Sequence, residues 1–264
     1  MGILNLSPDS FFIGSHVSSP EMALERAILM VEQGATIIDI GAESTQPKLH
    51  PTISCELELE RLLPALRLLI RELPIPISVD TSKADVIRVV ADLGISLIND
   101  TRALREPGAL SALAETNLSV CLMHMQFPHG APQDRAHNVY PSGVISEVKQ
   151  FLAQRISACL EAGIAPDRIW VDPGIGAGNF GKSCDENLEL LRNLAKFKSL
   201  GFPLLVGISR KTFIGELLGI PPEERLAGSL AATTWAVAQG ADVIRTHDVR
   251  ETVEAVKVVN AIRC

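Results

Sequence analysis

A glycine-rich stretch late in the chain has the letters of a phosphate-binding loop. Residues 176–183 read GAGNFGKS, which matches Gly-x-x-x-x-Gly-Lys-Ser at every fixed position. That pattern holds nucleotide phosphates when a buried strand runs directly into the loop and a helix begins at the lysine, so that backbone amides meet the phosphates. A nucleotide hydrolase is therefore one hypothesis, and the elements around the stretch must support or exclude it.

A second set of residues that could bind a ligand or take part in catalysis is spread along the whole chain. Short apolar runs recur eight times, and each ends in a polar side chain: Asn5, Asp39, Asp80, Asn99, His124, Asp172, Ser209, and the pair Arg245 and His247. Any one of these would most simply cap a turn or a helix. A full set of carboxylates, amides and bases in the same position indicates a binding site instead.

The apolar runs predict strands that alternate with helices. They cover residues 1–5, 35–40, 75–80, 95–100, 118–124, 168–173, 202–208 and 241–247. Amphipathic segments lie between them, such as residues 20–34, which begin with proline and end with glycine. This alternation over 264 residues predicts a single (β/α)8 TIM barrel, an α/β domain spanning residues 1–264, with its site at the carboxyl ends of the strands. A doubly wound open sheet is the alternative, but it usually has about six strands.

The predicted rim divides into two chemical groups. The first offers acceptors and an amide to a ligand rich in N–H donors, such as an aminopyrimidinone ring. It comprises Asp80, Asn99 and Asp172. The second offers donors to an anion from the first and last strands, which are neighbours in a closed barrel. It comprises Asn5, Arg245 and His247, and Lys211 lies between the two groups. The rim thus predicts a substrate with a polar heterocycle and a phosphate.

Composition narrows the partners and the compartment. The net charge is -7 and the pI is about 5.4, and lysine and arginine are scattered, which argues against a nucleic-acid or anionic-membrane surface. The five cysteines form no C-x-x-C pair and are odd in number, which argues against a zinc site or a disulfide framework. We find no apolar run of the roughly 18 residues that span a bilayer and no signal-peptide pattern. A cytoplasmic protein with small-molecule partners is predicted.

Long segments of the chain resemble bacterial dihydropteroate synthases. They are MGILNLSPDSFF, GATIIDIGAESTQP, ISVDTSKADV, LINDTRALREPGAL, CLMHMQ, VDPGIG, LLVGISRKTFIGELLG, RLAGSLAA and IRTHDVRETVEA, in order from residue 1 to about 260. The resemblance implies a (β/α)8 barrel, usually a homodimer and a sulfonamide target, that condenses 6-hydroxymethyl-7,8-dihydropterin pyrophosphate with p-aminobenzoate. It also implies Mg²⁺ and ionisation at the pterin methylene carbon, so that the arylamine attacks a carbocation and no protein nucleophile is needed.

The resemblance also implies a role for each matching residue. The pterin would contact Asp80, Asn99, Asp172, Lys211 and Arg245. The pyrophosphate would contact Asn5, Thr45, Arg245 and His247, and Asn5 would also lie near the metal. The p-aminobenzoate would contact Phe11, Thr45, Pro47, Phe180, Ser209 and Thr212. Lys211, Asp80 and Arg245 would be the catalytic residues.

The chain departs from the family pattern at a few positions. Ile13 and Gln46 stand where the family has an Asp and an Arg, and Phe127 replaces a usual Gly. Residues 177–179 lengthen the usual DPG-x-G-F-G-K segment by three, so that Phe180 takes the place of the family's aromatic residue. On this reading the phosphate-loop match is an accident of an insertion.

Three alternatives to the synthase stay open at this point. A pterin-binding paralogue without turnover is suggested by Ile13 and Gln46. A pterin-dependent methyltransferase shares the barrel, but Lys211 and the pair Arg245 and His247 would serve a pyrophosphate that it lacks. A nucleotide hydrolase is disfavoured because the glycine-rich stretch is separated from the preceding apolar run by a PGIG turn.

Overall fold

The structure is a computed structural model, which describes residues 1–6, 19–43, 53–127 and 140–263. Five residues singled out above, Phe11, Ile13, Thr45, Gln46 and Pro47, lie outside the described residues. The described strands are β1 (Gly2–Asn5), β2 (Ile38–Gly41), β3 (Ile77–Asp80), β4 (Leu97–Asp100), β5 (Ser119–Met123), β6 (Ile169–Asp172), β7 (Leu205–Gly207) and β8 (Val243–Arg245). Each overlaps one of the apolar runs.

Helices occupy the segments between the strands. They are α1 (Pro20–Glu32), α2 (Cys55–Glu72), α3 (Ala84–Ala91), α4 (Ala109–Ala114), α5 (Val144–Glu161), α6 (Cys184–Arg192), α7 (Thr212–Leu218), α8 (Leu226–Ala238) and α9 (Val249–Arg263). Helix α1 begins at the predicted proline because Ser19 caps it and accepts a hydrogen bond from the Met22 amide at 3.3 Å. Gly34 follows its end at φ 99°, a left-handed conformation that favours glycine.

The strands close into a ring. β1 to β6 form one parallel sheet in chain order, and β7 pairs with β8. Val171 bridges to Leu204 on one side of this pair, and on the other the Ile3 amide donates to the Thr246 carbonyl at 3.0 Å. The predicted (β/α)8 barrel is therefore confirmed.

Alternate residues of each strand face different surroundings. Ile38 and Ile40 of β2 and Val79 of β3 are fully buried in the main hydrophobic core, where strands meet helices. A smaller apolar cluster comprises Met1, Leu97, Cys121 and Leu205. Because side chains alternate along a strand, residues such as Asp39 and Ser78 are left to fill the inside of the barrel.

None of the described helices is long and apolar enough to cross a membrane.

Candidate active site

The register of the parallel strands brings polar side chains together inside the barrel. Asp39 stands opposite Ser78, and Asp80 stands opposite Asn99. The Ser78 hydroxyl donates to Asp39 Oδ1 at 2.6 Å, and Asn99 Nδ2 donates to Asp39 Oδ2 at 3.0 Å. Since β2 and β4 are not neighbours in the sheet, the contact between Asp39 and Asn99 crosses the barrel interior.

Arg245 links two of these strands to β8. Its Nε donates to Asp39 Oδ2 at 2.6 Å, and its Nη2 lies 3.0 Å from Asp80 Oδ2. Asp39 is fully buried, whereas Arg245 and Asp80 each keep a small exposed area. We call Asp39, Asp80, Asn99 and Arg245 the lumen cluster. Asp39 ends an apolar run of the sequence, but no motif gave it a role; its position between two isoleucines on a buried strand was the available signal.

Burial and neighbouring charges of opposite sign have opposite effects on the pKa values of Asp80 and Arg245 in the lumen cluster. Burial raises the pKa of Asp80 to about 7; Arg245 opposes this rise and Asp39 adds to it. Burial alone would lower the pKa of Arg245, but the carboxylates of Asp39 and Asp80 raise it above its usual value. The guanidinium is therefore the fixed charge of the cluster, and Asp80 is the group whose protonation responds to its surroundings.

A second buried carboxylate lies at the end of β6. Asp172 is 4% exposed, and its Oδ1 accepts a hydrogen bond from the Gly174 amide at 2.7 Å. Burial raises its pKa to about 6, although the Gly174 amide and Lys211 act against the rise. Its second carboxylate oxygen can accept a hydrogen bond from a ligand.

Lys211 contacts the aromatic ring of Phe180 and lies close enough to Asp172 for the carboxylate to affect its pKa. Its Nζ lies 4.1 Å from the centre of that ring, within the range of a cation–π contact. Burial lowers the pKa of Lys211 to about 8, and the positive charge of Arg245 lowers it further. The structure thus brings Lys211 and Phe180 into contact, two residues that the sequence assigned to different substrates.

The last two strands bring Ser209 and His247 together. Ser209 Oγ lies 3.1 Å from His247 Nδ1 and accepts a hydrogen bond from the His247 amide at 3.2 Å. Burial lowers the pKa of His247 to about 3, and Arg245 lowers it further. His247 is therefore neutral at physiological pH and can act as a hydrogen-bond donor or acceptor, but not as a cation.

The glycine-rich stretch does not form a phosphate-binding loop. A 3-10 turn covers Gly178–Phe180, and the next helix begins at Cys184, capped by Ser183. Lys182 is fully buried, with its Nζ 2.9 Å from His124 Nδ1 and 3.0 Å from the Phe180 carbonyl. A lysine that is held inside the fold cannot reach a nucleotide, and the same contact keeps His124 buried rather than open to a ligand.

A charged network that the sequence did not predict supports the ends of β2 and β4. Lys83 Nζ contacts Glu43 Oε2 and Glu58 Oε2, and Arg102 Nη2 lies 3.1 Å from Glu43 Oε1. The carboxylates raise the pKa of Lys83, although burial alone would lower it. These residues come from three loops and a helix, so that their partnership is visible only in the folded chain.

The remaining predicted residues are placed as follows. Asn5 ends β1 and is half-buried, Asn99 is buried, and Thr212 is the first residue of α7. Phe11, Thr45 and Pro47 lie outside the described residues. Among the residues that the structure describes, no three His, Cys, Asp or Glu side chains are arranged to hold a metal ion.

Comparison with known proteins gives a consistent result. The family described as "Pterin binding enzyme" matches residues 1–247. The dihydropteroate synthase of Escherichia coli (strain K12) is 49% identical over 261 residues, covering 99% of this chain and 90% of that protein. The structure of the Yersinia pestis dihydropteroate synthase with a sulfonamide drug aligns with a TM-score of 0.91 at 45% identity, covering 99% of this chain and 92% of that one.

A third relative is a dihydropteroate synthase from Coxiella burnetii, whose structure contains pteroic acid. It aligns with a TM-score of 0.89 at 43% identity, covering 99% of this chain and 92% of that one. The chain therefore belongs to the pterin-binding enzymes and, within them, to the dihydropteroate synthase family.

Proposed function

We propose that this protein is a dihydropteroate synthase, which condenses 6-hydroxymethyl-7,8-dihydropterin pyrophosphate with p-aminobenzoate and releases pyrophosphate. The observation that carries the proposal is the pairing of two carboxylates, one buried and one half-buried, with a half-buried lysine at the carboxyl ends of the strands. Asp172 and Asp80 are acceptors with raised pKa values, and Lys211 has a lowered one. A pterin ring, which carries both N–H donors and a carbonyl, complements such a set.

Binding of the pterin would use these two carboxylates and Lys211. Asp172 and Asp80 would accept ring N–H hydrogen bonds, Asn99 would add an amide, and Lys211 would donate to the ring carbonyl or a ring nitrogen. Arg245 holds Asp80 through its Nη2 at 3.0 Å, so its guanidinium would orient an acceptor as well as supply positive charge. Acceptors on the ring N–H groups increase electron density in the pterin, which favours loss of an anion from its methylene carbon.

The leaving group would lie towards β1 and β8. When the carbon–oxygen bond breaks, pyrophosphate takes the electron pair; the arylamine nitrogen then bonds to the carbon and releases a proton to solvent. The contact of Ser209 Oγ with His247 Nδ1 at 3.1 Å is shorter than its contact with Asp248 Oδ2 at 3.5 Å. Donation by Ser209 to Nδ1 would leave Nε2 protonated, so that neutral His247 offers an N–H to the anion.

Mg²⁺ would fit this side of the site. Asn5, whose side chain carries an amide oxygen, ends β1, and Mg²⁺ is commonly held by one or two protein oxygens together with substrate phosphates and water. When bound, the metal would neutralise charge that develops on the departing pyrophosphate. Thr45 would be a further pyrophosphate contact.

The p-aminobenzoate would bind beside Phe180, Ser209 and Thr212. Thr212 begins α7, and the first amides of a helix favour a carboxylate. Phe11, Thr45 and Pro47 complete the subsite that the family resemblance implies. A sulfonamide would compete for the same space.

Assembly and location complete the proposal. Large apolar side chains are exposed on the last three helices, and they would form a homodimer contact with a second copy: Leu217, Leu218, Trp235, Val258 and Ile262. Exposed apolar patches of this kind mark interfaces. The described cysteines are free thiols, which supports a reducing cytoplasm. We also infer that residues 1–264 form one domain.

One assay tests the reaction. The protein is mixed with pterin pyrophosphate, labelled p-aminobenzoate and Mg²⁺, and we expect labelled dihydropteroate together with an equal amount of pyrophosphate. Omission of the metal and addition of a sulfonamide should each reduce the product. Tight pterin binding without product would instead identify a binding paralogue, and transfer of a methyl group would identify a methyltransferase.

A further inference from the structure

The loop after β7 contains a residue in a strained backbone conformation. Arg210 has φ 56°, in the left-handed region that non-glycine residues rarely adopt. It stands between Ser209 and Lys211, two residues of the candidate site. Strain of this kind persists only where the surrounding structure holds it, and it concentrates at functional sites.

The backbone of Arg210 is held at both of its polar groups. Its amide donates to Ser229 Oγ at 2.9 Å, and its carbonyl accepts from Arg225 Nη1 at 3.1 Å. Ser229 and Arg225 belong to α8 and the residue before it. The turn that separates Ser209 from Lys211 is thus fixed to the following helix by two hydrogen bonds.

The side chain of Arg210 reaches across to the loop after β8. Its Nε lies 3.0 Å from Asp248 Oδ2 and its Nη2 lies 2.8 Å from Asp248 Oδ1, a two-pronged pair in which both side chains are largely buried. Its Nη1 also donates to the carbonyls of Pro222 and Glu223, at 3.0 and 2.9 Å. Such a fork fixes orientation as well as distance, which a lysine cannot reproduce.

The pair joins two neighbours of candidate site residues. Arg210 follows Ser209, Asp248 follows His247, and Ser209 contacts His247 directly at 3.1 Å. The four residues therefore form a closed loop of contacts in which the ion pair sets the separation of the two backbone segments. An ion pair that only stabilised the fold could lie anywhere, whereas Arg210 and Asp248 each adjoin one member of the Ser209–His247 contact. This location favours a role in positioning.

We propose that Arg210 is a positioning residue, whose paired fork on Asp248 aligns Lys211 with the pterin and the Ser209–His247 pair with the pyrophosphate. The inference rests on the proposed function for the identity of the substrate. Misplacement of reacting groups by about 1 Å can cost about a hundredfold in rate, so loss of the fork should affect turnover more than folding.

The test is a double-mutant cycle in the full chain. Arg210→Gln and Asp248→Asn should each lower kcat/KM for pterin pyrophosphate by about tenfold to a hundredfold, and the double variant should be no worse than the poorer single variant. Arg210→Lys should not restore the rate, because it lacks the fork. Arg210→Gly relaxes the backbone, and it should be as slow as Arg210→Gln if the side chain does the positioning.

A binding measurement keeps the test independent of turnover. Calorimetry should show that these variants lose affinity for pterin pyrophosphate more than for bare hydroxymethylpterin, whose acceptors Asp80, Asn99 and Asp172 are untouched. Arg168 provides a matched control, because its Nε donates to the Leu118 carbonyl at 2.8 Å at the opposite end of the barrel. Arg168→Gln should lower thermal stability and leave both affinities and kcat/KM unchanged.

Three results would each overturn the inference: additive effects in the cycle, full activity of Arg210→Lys, or Arg210 variants that behave like Arg168→Gln, with lower thermal stability but unchanged affinities and kcat/KM. A wild-type protein that makes no dihydropteroate would refute the proposed function instead. In that case the two affinities still decide whether Arg210 positions the site.

Discussion

The two faces of the barrel strands differ by a shift of one residue. On β2, Ile38 and Ile40 pack between strands and helices, whereas Asp39 between them lies in the lumen and bonds to Arg245 at 2.6 Å. On β8, Ile244 packs outward against the same core and Arg245 lies in the lumen. On these two strands the outward face is apolar, while the inward face carries the charged side chains.

Because of this difference, adjacent residues of one strand have different roles: the outward residue stabilises the fold and the inward residue belongs to the candidate site. Outward residues contribute by burial, which depends on apolar area and close packing. Inward residues near the rim carry charges that are partly desolvated before any ligand arrives. Substitutions on the two faces should therefore have distinct signatures, one in unfolding and one in binding, and the following experiments compare them.

The largest effect is expected for Arg245→Met. Removal of the guanidinium leaves fully buried Asp39 without its cation, although Ser78 and Asn99 still donate to it. Breaking a buried pair from one side costs about 3 to 5 kcal/mol in the free energy of unfolding. Urea denaturation should show this loss, and calorimetry should show loss of pterin binding.

A second substitution identifies the cause of that loss. In Asp39→Asn with Arg245→Met, the unpaired charge is gone, so that part of the stability should return while pterin binding stays absent. Arg88 serves as the control, since its ion pair with Asp85 at 3.0 Å is exposed, and Arg88→Met should change the free energy of unfolding by less than about 1 kcal/mol. If the losses in the free energy of unfolding from Asp39→Asn and Arg245→Met simply add in the double variant, the unpaired buried charge of Asp39 is not the cause of the loss in Arg245→Met.

An intermediate effect is expected for Ile98→Ala on the outward face of β4. Ile98 is fully buried in the main core, and its neighbour Asn99 lies in the lumen. Truncation of a buried isoleucine costs about 2 to 5 kcal/mol, without a change in KM at temperatures where the variant is folded. Asn99→Ala should show the reverse, with weaker pterin binding. An equal rise of KM in both variants would mean that the two faces are not independent.

The strands were predictable from the sequence because each is a short apolar run bounded by turns, and their order follows from the alternation with helices. The rim followed as well, since parallel strands deliver their carboxyl ends to one place. These inferences depend on local pattern and on one general rule of topology.

The contacts of the site were not predictable in the same way. Arg245 was grouped with the donors for an anion by its type, yet its guanidinium contacts Asp39, a residue 206 positions away in the chain. Lys182 and His124 have polar side chains, but their partnership removes both from solvent. Such pairings form between side chains that meet across the lumen or between loops, so the spacing of the residues along the chain does not predict them.

The smallest expected effect has the opposite sign and concerns Asp172. Its pKa is raised to about 6 from 3.8, mainly by burial, so the folded state holds the proton more tightly than the unfolded state. This group therefore favours folding below about pH 4, and that contribution is lost as the pH rises to about 6. Asp172→Asn removes the charge and keeps an acceptor for the Gly174 amide. We expect the ligand-free variant to be more stable than the wild type by about 1 to 3 kcal/mol at pH 7, with no gain near pH 4, while pterin affinity falls sharply. Urea denaturation at several pH values measures the difference between the free energies of unfolding of the variant and the wild type. The contributions of the other carboxylates cancel in this difference, because both proteins contain them. A gain that does not depend on pH would mean that the carboxylate is not strained by burial, and Asp172 would then belong with the packing residues of the outward face.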